Sequence, residues 1–110
     1  MELKLVSSKM VNNAIFGATL MERYEIEDYE VKVSHPLGEV VVSVTKRSNN
    51  DRYLPSIIYR DDEDGNLEGF DIQTTSYGAL SIDEIEKMVN SIEKAVKVVE
   101  ILTEKFVKIL

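Results

Sequence analysis

The residues from Ser81 to Leu110 constrain this chain more than any other stretch, because they read as one long amphipathic helix that must bury a face against something. Ser81 and Glu84 have the S-x-x-E spacing of a capping box, in which each side chain satisfies a backbone N–H of the other residue. Leu80 and Ile85 are placed to form a hydrophobic staple across that start. Asp83, Glu84 and Glu86 suit the positive end of the helix dipole, and Lys105 and Lys108 suit the negative end. Ile85, Met88, Ile92, Ala95, Val99, Leu102, Phe106 and Ile109 recur in three-four alternation. Val89 and Val96 widen that stripe on one side, and Val98 and Ile101 lie off it.

Most of what precedes the helix carries β signals. Met1 to Val6 alternates as a short strand. Ser7 to Thr19 is ambiguous: Met10, Val11, Ala14, Ile15 and Ala18 fit a helical face, but Gly17 interrupts it. The expectation is a short helix or turn followed by a strand from about Thr19 to Ile26. Tyr29, Val31 and Val33 alternate with polar residues, and His35-Pro36-Leu37-Gly38 then makes a turn. Val40, Val42 and Val44 alternate with Val41, Ser43 and Thr45 in the strongest strand pattern of the chain. Arg52 to Arg60 reads as a strand whose Pro55 argues for an edge or a bulge. Asp64-Gly65 is a hairpin signal, and Phe70, Ile72 and Thr74 alternate in the last strand. Strands joined in sequence order by short turns predict an α+β fold, an antiparallel meander sheet of four to five strands with the one long C-terminal helix packed across it. The 110 residues form one domain, without repeats, linkers or low-complexity tracts.

A helix of this length runs about 43 Å, against about 23 Å for a seven-residue strand. The segment Val98 to Leu110 is therefore expected to overhang the sheet and to need a cover, from the N-terminal segment or from a second copy of the chain. Val98, Ile101, Phe106 and Ile109 are the candidates for such self-association.

Composition excludes several functions. There is no cysteine, so neither disulfides nor thiolate chemistry is available. No apolar run reaches the roughly 20 residues of a membrane span, and the N-terminus lacks the regions of a signal peptide. An intracellular, cytoplasmic protein is the expectation. The single histidine, His35, stands beside a proline in a turn, and the adjacent Ser34 would project to the opposite side of an extended chain. No phosphate-binding glycine loop is present. An enzyme is not expected, and no cofactor is implied. Asp62, Asp64 and Gly65 can be laid on an EF-hand loop, but the first ligand position is then Arg60 and the twelfth Asp71, so no metal site follows.

The formal net charge is −7, from 13 basic and 20 acidic residues, which disfavours direct contact with nucleic acid or with an anionic membrane. It is compatible with solubility alone, or with a negative surface that meets a basic partner. The acids are unevenly spread. Glu22 to Glu30 holds five acids and one base, Asp61 to Glu86 holds nine acids and no base, and Lys87 to Lys108 holds five lysines and three glutamates. If the acidic segments share an edge of the fold, they make a patch able to imitate duplex phosphates and occupy a basic groove. Asp61, Asp62, Glu63, Asp64, Glu68 and Asp71, on the last hairpin, are the candidate contact residues for a basic protein surface. Gln73, Thr75 and Tyr77 lie in a neutral stretch rich in hydrogen-bonding groups and are a candidate second surface, or a tight connection into the helix.

The stretch Gly69-Phe70-Asp71-Ile72-Gln73-Thr74-Thr75-Ser76-Tyr77-Gly78, running into the Ser81 helix, resembles small accessory proteins encoded by phages and prophages of Gram-positive bacteria. The resemblance covers the C-terminal half and brings no catalytic motif. It implies a phage accessory protein, and acidic proteins of that kind include anti-CRISPR and anti-restriction inhibitors. The expected function is thus a non-enzymatic inhibitor of a nucleic-acid-handling defence complex. The alternative is a homo-oligomeric assembly module of a phage or mobile element.

Overall fold

A four-stranded sheet, a hairpin and a helix enclose the core. The computed structural model describes residues 1–15, 17–47, 51–75 and 77–107. Strands β1 (Lys4–Asn13), β2 (Gly17–Ile26), β3 (Tyr29–Ser34) and β4 (Val41–Lys46) form an antiparallel meander in the order β1-β2-β3-β4. Strands β5 (Ser56–Asp61) and β6 (Leu67–Gln73) pair as a separate two-stranded sheet, and the helix α1 (Ile82–Phe106) follows. The fold is α+β, with the antiparallel meander and single long C-terminal helix that the patterning predicts. The last hairpin leaves the meander because the chain ahead of it is packed instead of paired. Tyr53, Leu54 and Pro55 are buried before β5 begins, and the Tyr29 hydroxyl donates to the Pro55 carbonyl at 2.6 Å. Pro55 has no N–H for a ladder in any case.

The register of the meander sets which residues face inward. Tyr24 pairs with Val31, Ile26 with Tyr29, Val33 with Val42, and all six are buried on one face. Val40 and Val44 pack against the same cluster, whereas Val41 on the opposite face is exposed. This is the period-two separation read from the valine-rich strand. The first hairpin departs from expectation. Residues 7–13 continue β1 instead of forming a helix or turn, in register with β2 from Ser7↔Arg23 to Asn13↔Gly17. Gly17, which breaks the helical pattern, takes φ +72° as β2 begins. Pairing with β2 thus outweighs a local helical spacing that lacks a partner face. β1 remains an edge strand with an irregularity between Leu5 and Ser7, and Leu5, Val6, Met10 and Val11 are exposed along it.

The capping box is formed as predicted: Glu84 N–H donates to Ser81 Oγ and Ser81 N–H to Glu84 Oε1, each at 3.2 Å. Ser81→Ala is expected to lower the unfolding free energy by about 1 kcal/mol, read as a shifted urea midpoint with unchanged slope. The buried helix residues are Ser91, Ala95, Val98 and Leu102. That seam lies to one side of the predicted stripe because polar contacts fix the rotation of the helix. Ser91 Oγ donates to Asp51 Oδ2 at 2.7 Å, while Asp51 Oδ1 accepts from the Tyr53 N–H at 2.9 Å. Lys94 Nζ reaches Asp28 Oδ2 at 3.1 Å on the turn between β2 and β3, and this bond raises the lysine pKa. The rotation leaves Ile82, Ile85, Val89 and Val96 exposed. Among the described residues, no helix is long and apolar enough to cross a membrane.

Candidate functional site

The turn between β5 and β6 carries most of the candidate carboxylates, and they have three different situations. Asp62 builds the turn. Its Oδ1 accepts from the N–H groups of Asp64 and Asn66, both at 2.9 Å, and its N–H donates to the Asn66 carbonyl at 2.8 Å. Gly65 takes φ +80° and donates back to the Asp62 carbonyl, which is the role the Asp-Gly pair implies. Asp61, Glu63 and Asp64 are exposed and have no ion pair or side-chain hydrogen bond among the described residues. Glu68 and Asp71, on β6, are held by a base that stands one residue ahead of the acidic run. Arg60 Nε lies 3.4 Å from Glu68 Oε2, and Arg60 Nη1 pairs with Asp71 Oδ1. The register brings this about: Arg60 is opposite Gly69, and a Cβ on Gly69 would stand 3.0 Å from the guanidinium. The bare glycine lets the arginine lie across β6 and reach both acids.

The other acidic segments do not join this tip. In the segment from Glu22 to Glu30, Glu25 faces Arg47 at 3.4 Å, Glu30 faces Arg23 and Lys32 at 3.9 Å, and Asp28 holds Lys94. Glu22 is bound on both oxygens, with His35 Nε2 at 2.7 Å from Oε1 and the Tyr24 hydroxyl donating to Oε2 at 2.9 Å. Asp83, Glu84 and Glu86 start the helix beside the open end of the hairpin, where the Tyr53 hydroxyl donates to Glu84 at 2.7 Å. The tip lies at the opposite end, around a depression that Asp62, Gly65, Asn66 and Leu67 share with Gly38, Glu39, Val40 and Phe106. The unpaired carboxylates of the hairpin are therefore gathered at its tip, with the exposed Glu39 beside them.

The Glu22 contacts predict an acid-side loss of stability. The hydrogen bond from His35, followed by those of Tyr24 and the nearby Lys105 charge, outweighs desolvation and holds the carboxyl below its ordinary value of 4.5. A pKa lower in the folded than in the unfolded chain stabilises the fold above the unfolded value, and the contribution disappears as pH falls through the folded value. Glu22→Gln is accordingly expected to unfold at a lower temperature than the parent chain at neutral pH, with the gap narrowing as the pH falls below the ordinary carboxylate range in circular-dichroism melts.

Gln73 and Thr75 are exposed at the end of β6 and just beyond it, while Tyr77 is tied into the fold. Its hydroxyl donates to the Arg52 carbonyl, and its ring meets Tyr53 edge-on at 5.3 Å. The Arg52 guanidinium lies 5.0 Å from the Tyr53 ring centre and 5.7 Å from that of Tyr77. This cluster anchors the entry to the helix, the structural role open to Tyr77 from its sequence position. Of the self-association candidates, Val98 is wholly buried within the chain, and Ile101 and Phe106 are half-buried against its core. The Phe106 ring meets Tyr24 edge-on at 5.7 Å. Ile109 lies outside the described residues.

Sequence reasoning missed two features. One is Arg60, whose place one residue before the acidic run hid its pairing across the hairpin. The other is that Ile85, Val89 and Val96, which the sequence places in or beside the packing stripe, are exposed together with Ile82, at spacings of three, four and seven that are themselves a readable signal. Among the described residues no group of three or more histidine, aspartate or glutamate side chains is arranged to hold a metal ion. No family model, curated protein or solved structure matches the chain.

Proposed function

We propose that the chain is a non-enzymatic interaction protein whose β5–β6 tip engages a basic surface on a protein partner, in the manner of a phage-encoded inhibitor of a nucleic-acid-handling defence complex. The observation that supports this is the pairing pattern of the acids. The carboxylates of Glu25, Asp28, Glu30, Glu68 and Asp71 face lysine or arginine side chains and that of Glu22 is hydrogen-bonded to His35 and Tyr24, whereas Asp61, Glu63 and Asp64 are left open on a turn that Asp62 and Gly65 hold in shape. Exposed carboxylates on a pre-shaped turn spare the backbone ordering cost on docking and steer association with a basic groove. The partner would be a protein that itself binds nucleic acid, since its groove must already carry the complementary charge.

Immobilised protein exposed to a Gram-positive host lysate tests this reading. The expected result is recovery of a nuclease or its subunits at about 0.15 M salt and their release at about 0.5 M, where charge interactions beyond a few ångström are screened. Recovery that is indifferent to salt would overturn the electrostatic mechanism, and the absence of any nucleic-acid-handling protein would overturn the inhibitor reading.

A further inference from the structure

The exposed apolar residues of α1 form a second seam along the helix, separate from the one that faces the sheets. Ile82, Ile85, Val89, Ile92, Val96 and Val99 follow one another at intervals of three and four, and Thr103 continues the spacing. The series occupies the a and d positions of a heptad, filled by β-branched residues throughout. Ile82 is 75 % exposed, Ile85 42 %, Val89 43 % and Val96 40 %, with Ile92 and Val99 half-buried between them. The buried helix residues are confined to the Ser91–Leu102 face, and solubility alone gives no reason to keep β-branched residues along this exposed row.

The charges beside the seam specify its occupant. Glu86, Glu93 and Glu100 each follow a d residue and line one margin; all three are exposed and without an ion pair among the described residues. The other margin, Met88, Ala95 and Leu102, turns toward the protein's own core, where Ala95 and Leu102 are fully buried. A second copy laid antiparallel would bring its own glutamate row against this one. Laid parallel, its glutamates would meet the margin that the fold already fills. An apolar helix flanked by lysine or arginine instead sets opposite charge against the glutamate row.

We infer that the α1 seam is a docking site for a basic amphipathic helix of a partner protein, with Ile82, Ile85, Val89 and Val96 as its apolar floor and Glu86, Glu93 and Glu100 as its charged wall. The seam is about 32 Å long from Ile82 to Thr103. That length accepts three heptads, and a single helix face of this size falls in the small class of interfaces with micromolar rather than nanomolar binding.

The probe is a labelled peptide of about 21 residues with isoleucine and leucine at a and d and lysine at the flanking positions, titrated with the full chain by fluorescence anisotropy. A peptide with glutamate at the flanking positions is the control. The lysine peptide is expected to bind and the control not to bind. Val89→Asp with Val96→Asp is expected to weaken binding at least about tenfold, and both sites are exposed enough for the variant to stay folded, which its far-ultraviolet spectrum checks. Glu86→Lys with Glu93→Lys and Glu100→Lys is expected to reverse the preference in favour of the glutamate peptide. Asp61→Lys with Glu63→Lys and Asp64→Lys, at the hairpin tip, is expected to leave the affinity within about twofold, which separates this site from the one proposed for the acidic turn. Equal binding of the two peptides, indifference to the Val89 and Val96 substitutions, or a loss caused by the tip variant would each overturn the inference. Sedimentation showing a dimer abolished by the same valine substitutions would replace the partner helix with a second copy.

Discussion

Leu102→Ala is expected to lower the unfolding free energy by about 3 kcal/mol and the melting temperature by about 15 °C. Leu102 is fully buried, as are Ala95 and Val98 on the preceding turns of the same face. Removing its branched end therefore opens a cavity beside a residue that is already small, and the helix cannot tilt in to fill it while Ser91 and Lys94 remain bonded to Asp51 and Asp28. The loss of transferred surface and the residual void add, which places the substitution among the costlier core truncations. A small domain has only about 5–15 kcal/mol of stability in total, so the variant should lose a large part of its margin at body temperature. Thermal melts followed at 222 nm measure it. The matched change on the second seam, Val96→Ala, should move the midpoint by no more than about 2 °C, because Val96 is 40 % exposed. A drop of only a few degrees for Leu102→Ala would mean that the two seams have been assigned the wrong way round.

The second large effect concerns binding. Replacing Asp61, Glu63 and Asp64 by lysine moves the formal net charge from −7 to −1, two units at each site. For the partner recovered from lysate, the expected result is a dissociation constant raised by about 100-fold, chiefly through slower association, and a weaker dependence on salt. The fold should be unaffected, since none of the three side chains has an ion pair or hydrogen bond among the described residues. Asp62 is left in place deliberately: its carboxylate closes the turn on Asp64 and Asn66, and changing it would confuse loss of charge with loss of shape. Biolayer interferometry across a salt series separates the rate effects, and an unchanged association rate would remove the tip from the interface.

The sequence signals that translated directly into structure are those in which the cause is local. The Ser81–Glu84 capping box, the Asp64-Gly65 turn and the alternating valines of β4 each contain their own stabilising partner or period. Residues 7–13 were unreadable because their strand conformation depends on β2, and nothing within the segment distinguishes it from a weak helix. The helix itself was legible in extent but not in rotation. Its apolar residues spread over more than one face, and the face taken packs on strands far away in the chain and bonds to Asp51 and Asp28, which lie 40 and 66 positions before their partners. The candidate acids were legible as a run. Their division into turn-forming, paired and open groups depends on the register of β5 against β6, which a count of charges does not contain.

The crossing of Arg60 over Gly69 has a consequence for how this protein can vary. Gly69 does not hold a positive φ, so its backbone would accept any side chain. A bulky residue there would push the guanidinium aside and release Glu68 and Asp71 from it. The electric field of the hairpin would thus deepen through one substitution that adds no acid and replaces none of the candidate carboxylates. Position 69 is a control on the charge of the hairpin that lies outside the acidic residues it adjusts.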